Sequence, residues 1–211
     1  MKFLLLKKNS RGFTLIEMLT VLALFSSMTT LALGSLFNVR SINNSLQEKE
    51  TVLDNLNFSI QVATRDMRFG SDFYCAGTLP TTTPLLRKNC PSTGAGGSVI
   101  IFKPSETSSS TDRVAYYVKN GTFYKDEYLG GSTTTLQITS DEVTIRSVTF
   151  FVQGALSSDP ADGLNEGGGF DYQQPLITMI ISGIIKKSAS IQKLAEFNIQ
   201  TSVSSRILDN K

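Results

Sequence analysis

Residues 11–25 read RGFTLIEMLTVLALF, and the apolar run they open continues to Phe37 without a charge after Glu17. At about 1.5 Å per residue, a helix from Met18 to Phe37 covers roughly 30 Å, the thickness of a bilayer core. Glu17 stands out in this setting. An ionised carboxylate in an apolar layer costs several kcal/mol in effective terms unless it is paired, so the sequence asks for a partner to Glu17.

Upstream, residues 1–12 carry Lys2, Lys7, Lys8 and Arg11 and no acid. The chain has 20 Lys and Arg against 18 Asp and Glu; without these four bases the balance is 16 against 18, or −2. The basic character therefore belongs to the N-terminal segment. A basic segment ahead of an apolar helix stays on the cytoplasmic side, which places the bulk of the chain outside. A net charge of +2 is too small to point to nucleic acid. The apolar run is longer than a secretory signal core, although Ala32-Leu33-Gly34 offers a cleavage site before Ser35 that would release a soluble product.

Downstream, Val39, Ile42, Leu46, Lys49, Leu53, Leu56, Ile60, Ala63 and Met67 follow at steps of three and four, a heptad-like stripe broken only by Lys49. The first proline is Pro80, and Gly70 is placed to cap the pattern. One helix is expected from about Phe13 to about Phe69. Its second half either packs on the following domain, the favoured reading, or pairs in a coiled coil.

Residues 71–97 read as loop, rich in turn formers. Strands are expected at 98–103, 113–119, 122–125, 143–152, 175–185 and 196–204, with Asn120-Gly121 turning a hairpin. Phe197, Ile199, Thr201 and Val203 share one face by alternation. The plan is α+β: a long N-terminal helix on a mainly antiparallel sheet. No helix alternates with the strands, which speaks against a doubly wound enzyme.

The chain has no histidine, which removes Ser-His-Asp and Cys-His catalysis and every His-ligated metal site. Cys75 and Cys90 are the two cysteines. Both follow the apolar helix into an oxidising compartment and either form a bridge or remain two thiols in a loop. In the acidic, glycine-rich segment 157–171, Asp159, Asp162, Asn165 and Glu166 offer oxygen ligands of the kind calcium takes. Their spacing is not that of an EF-hand, and a surface loop is the plainer reading.

The basic leader, Gly12, Phe13, Glu17 and the apolar helix occur together in one register. Over residues 7–37 this arrangement resembles the processing motif of type IV prepilins and type II secretion pseudopilins. The resemblance implies cleavage between Gly12 and Phe13 by a prepilin peptidase, followed by N-methylation of Phe13. It implies four parts: a cleaved leader at 1–12, a transmembrane and filament-core helix at 13–37, its amphipathic half at 38–70, and an extracytoplasmic β-rich domain at 71–211. It also supplies Glu17 with its partner, the new α-ammonium of Phe13 on a neighbouring subunit. The partners implied are other pilin subunits, the peptidase and an inner-membrane assembly platform, and the destination is a surface or periplasmic filament. The segments 63–73, 112–128 and 197–206 are similar in apolar pattern to J-type minor pseudopilins and PilW-like minor pilins. A disulfide near the C-terminus, common in some pilins, is not reproduced. The rival expectation is a membrane-anchored binding domain that never polymerises.

Overall fold

The computed structural model describes residues 12–90, 94–159, 161, 163–165, 169–186 and 193–206. One helix, α1 (Leu15–Phe69), is followed by eight strands: β1 (Ser71–Ala76), β2 (Val99–Lys103), β3 (Arg113–Lys119), β4 (Thr122–Leu129), β5 (Ser132–Gln137), β6 (Val143–Gln153), β7 (Leu176–Lys186) and β8 (Lys193–Ser204). The expected α+β plan, a long helix followed by antiparallel sheet, is the one observed. The chain divides into two compact units, Met1–Gln47 and Glu48–Lys211.

In the first unit the described residues are helical from Leu15 onward, and the large apolar side chains from Phe13 to Leu46 are all more than half exposed or at that limit. In the second unit the last turns of α1 bury Val52, Leu56, Ser59, Ile60, Ala63 and Met67. The heptad stripe therefore reaches a core only from residue 52 onward. Leu53, assigned to the buried face by its spacing, is 39% exposed, whereas Val52 is 7% exposed. The later members of the stripe, Leu56, Ile60, Ala63 and Met67, are all buried, so the stripe keeps its phase and Leu53 marks the turn at which the helix meets the core.

The strands form two sheets, not one: β1-β2-β3-β4-β5 and β6-β7-β8, antiparallel throughout. One core joins them to the helix. It runs from Leu56 and Met67 through Phe73, Phe102, Tyr116 and Phe123 to Phe150, Ile177 and Met179. Polar bonds fasten the helix as well. Ser59 donates to the Ile138 carbonyl at 2.8 Å, and Tyr116 donates to Asp66 at 2.6 Å. Lys125 bridges Asp66 and Glu127, each at 2.7 Å.

Two strands depart from the sequence expectation. β1 lies in the segment read as loop. Asp72 sits at φ 52° in a bulge that breaks the alternation of its strand, and its carboxylate pairs with Arg87 Nε at 2.7 Å. β5 is a second hairpin arm, turned from β4 by Gly130 and Gly131 at φ 57° and 81°. Gly70 ends the helix but has no left-handed backbone. It is small because a Cβ there would run into the Phe102 ring.

Candidate functional site

Thr14 starts the helix. Its hydroxyl accepts the Glu17 N–H at 3.3 Å, and its carbonyl accepts the Met18 N–H at 3.2 Å. Thr14 is the N-cap and Glu17 stands at the third helical position, the T-x-x-E spacing of a capping box. That signal is written in the sequence, and it supplies the one residue of this site that motif reasoning passed over. The reciprocal arm is not made: among the described residues the Glu17 carboxylate has neither a hydrogen bond nor an ion pair.

Gly12 and Phe13 precede the helix in exposed chain without regular secondary structure, and Phe13 is 77% exposed. A Cβ on Gly12 would meet nothing within 4 Å. The glycine is thus not demanded by packing in this chain. Gly12, Phe13 and Glu17 lie within one turn of the helix start, as the spacing required.

Beyond Glu17 the helix hides its own polarity. Thr20, Ser26, Ser27, Thr29 and Thr30 donate to carbonyls three or four residues earlier, at 2.6–3.0 Å. Such back-bonding leaves apolar surface and no unmet hydroxyl donor between Thr20 and Thr30, the condition a lipid environment imposes. The helix is long and apolar enough to cross a membrane.

Cys75 and Cys90 form a disulfide, with Cα atoms 5.1 Å apart. Both are buried, and the Cys90 N–H donates to the Val152 carbonyl at 3.0 Å. Of the candidate calcium ligands, Asp162 and Glu166 lie outside the described residues. Asn165 is committed to its own loop: Oδ1 accepts the Ser157 N–H at 2.9 Å, and Nδ2 donates to the Gly169 carbonyl at 2.8 Å. Asp159 accepts the Ala161 N–H at 2.8 Å. Among the described residues no group of three or more His, Cys, Asp or Glu is placed to hold a metal ion.

Residues 7–33 match a family model described as the prokaryotic N-terminal methylation motif. The match covers the second half of the basic N-terminal segment, the glycine, the helix start and most of the apolar run. It supports a processed subunit of the type IV pilin and pseudopilin kind, structural in role, with other pilin subunits and a prepilin peptidase as partners. Together with the apolar helix, it supports a single-pass membrane anchor. No curated protein and no solved structure matches the chain.

Proposed function

We propose that the chain is a minor pilin or pseudopilin, most similar to the J type, cut between Gly12 and Phe13 and N-methylated at Phe13. It is inserted with its N-terminus cytoplasmic and passed by an inner-membrane platform into a filament. The observation that carries this reading is the helix start itself. A carboxylate unpaired among the described residues stands about one turn from a peptide bond that, once cut, yields a free ammonium. Among the described residues of one subunit Glu17 has no partner; between subunits stacked along the helix, the Phe13 ammonium of one meets the Glu17 carboxylate of the next. Each charge is compensated only in the assembly, so the pair sets the axial register in the way a polar core residue does in a coiled coil. The exposed apolar surface of residues 13–46 has the same need, met by lipid before assembly and by neighbouring helices afterwards. The mechanism is assembly and calls for no cofactor.

The test is the intact mass and N-terminal peptide of the protein purified from its host membranes. The expected result is a chain beginning at Phe13 and carrying one added methyl group. A chain that keeps Met1 and its basic leader overturns processing and leaves an anchored domain that does not polymerise.

A further inference from the structure

The unit Glu48–Lys211 contains six arginines, and three of them are spent. Arg87 pairs with Asp72 at 2.7 Å, Arg146 pairs with Glu196 at 3.0 Å, and Arg113 donates to the carbonyls of Ser110 and Asp112. The other three, Arg65, Arg68 and Arg206, are exposed and line one cavity of about 400 Å³ between the end of α1 and β8. None of the residues lining it is an acid. Among the described residues, none of these three guanidinium groups has a hydrogen bond or an ion pair.

The walls of the cavity are tied together. The Arg206 N–H donates to the Arg68 carbonyl at 2.8 Å, and the buried Ser205 hydroxyl donates to the Gly70 carbonyl at 2.8 Å. The Arg206 guanidinium stands 5.7 Å from the centre of the Phe69 ring, which holds the charge in place without neutralising it. Gln61, Arg65 and Arg68 follow at steps of four and three and so share one face of α1. The Gln61 amide and the Thr201 hydroxyl also line the cavity, and neither has a partner among the described residues.

The helix dipole accounts for one cation, Arg68 in the last turn of α1. Arg65 also borders a neighbouring cleft, but Lys125 holds Asp66 and Glu127 there, the Thr107 hydroxyl and Gly130 N–H hold Asp112, and Glu106 makes no ion pair with it. Three like charges around one hollow repel one another and focus a positive potential, which an anion relieves. Guanidinium forks match the oxygens of carboxylate and phosphate. A phosphate monoester brings close to two charges and three acceptor oxygens, enough to engage three guanidinium groups at once. The volume falls in the range of small-molecule sites, about 300–1,000 Å³, which leaves room for more than a bare ion. The Gln61 amide and Thr201 hydroxyl suit the hydroxyl groups of a sugar.

We propose that Arg65, Arg68 and Arg206 bind the phosphoryl group of a sugar phosphate, with the sugar against Gln61 and Thr201. The site lies within Glu48–Lys211 and stands whether or not the chain is processed at Gly12. The probe is glucose 6-phosphate, titrated calorimetrically into the full chain in detergent at constant ionic strength. Glucose, succinate and inorganic phosphate are the controls. Saturable heat is expected with the ester and none with glucose, and succinate and inorganic phosphate are expected to bind more weakly. Arg65→Gln is expected to keep the wild-type thermal midpoint while weakening the ester about tenfold, and Arg65→Gln/Arg68→Gln to abolish the heat. Arg146→Gln, outside the cavity, is expected to leave the affinity unchanged. Asp209, shortly beyond Arg206, lies outside the described residues, and Asp209→Asn is likewise expected to change nothing. No heat with the ester, equal binding of succinate or inorganic phosphate, wild-type affinity in the double variant, or a large gain in Asp209→Asn each overturns the proposal. The last would mean that the chain's own carboxylate fills the cavity.

Discussion

Glu17 has two reasons to be acidic, and they separate by experiment. At the third position of a helix a carboxylate complements the dipole, worth roughly 0.3–1 kcal/mol at a surface, and glutamine serves the capping geometry nearly as well. Pairing with a neighbour's ammonium needs the charge. Glu17→Gln and Glu17→Ala are therefore both expected to be cleaved and membrane-bound, with filament incorporation down about tenfold or more, equivalent to about 1.4 kcal/mol per contact. Quantifying the subunit in sheared filaments checks this; wild-type incorporation of Glu17→Gln would leave capping as the role. At the other end of the same scale is Gly121, at φ 79° in the β3–β4 turn, where a Cβ would stand 2.9 Å from Thr144 Cγ2. Gly121→Ala is expected to cost about 1–2 kcal/mol from the left-handed backbone alone, read from urea unfolding. Gly12, Phe13, Glu17 and the Asn120-Gly121 turn were legible in the sequence because each is a local signal. The cavity of Arg65, Arg68 and Arg206 was not, since it forms only where the end of α1 meets β8.

The elements were legible where their pattern is regular. β6, β7 and β8 alternate or run apolar, and their expected spans lie within a few residues of the observed ones. β1 escaped because its bulge at Asp72 interrupts the period and its neighbours are turn formers. β5 escaped because three threonines and a glutamine make no apolar face; its signal was the Gly130-Gly131 pair, a two-residue hairpin turn. The segment between β1 and β2 is held by few strand pairings and by the Cys75–Cys90 bridge, 15 residues apart in sequence. Loop-closure entropy assigns such a bridge about 3 kcal/mol. The Cys75→Ser/Cys90→Ser double variant is expected to lose about that much in chemical unfolding, with the loss reproduced by reductant in the wild type. The sequence offered the two cysteines but not their proximity, which comes from Lys88 N–H donating to the Phe73 carbonyl and Cys75 N–H to the Lys88 carbonyl.

On the scale of the whole molecule, every buried apolar residue described lies at or beyond Val52. The second unit thus holds its own core. A chain starting at residue 48 is expected to be soluble and to melt cooperatively within a few degrees of the full chain in detergent, by circular dichroism. Its stability should bend at low pH through Asp112. The Thr107 hydroxyl and the Gly130 N–H, the latter at 3.0 Å, hold the Asp112 carboxyl below the usual carboxylate range against the opposing effect of burial. The folded form binds its proton less readily than the unfolded chain does. Its contribution is therefore fully present above the ordinary carboxyl value near 3.9 and is lost as pH falls through the lower folded value. Gly130 belongs to the β4–β5 turn, so the loop before β3 is tied through Asp112 to the hairpin that ends in the open edge. Asp112→Asn is expected to flatten the fall in midpoint below about pH 4. It should also raise amide exchange in β5 at neutral pH, because one amide group replaces a carboxylate that accepts from both sides. An acid slope identical to wild type, with β5 exchange unchanged, would remove Asp112 from the support of that edge.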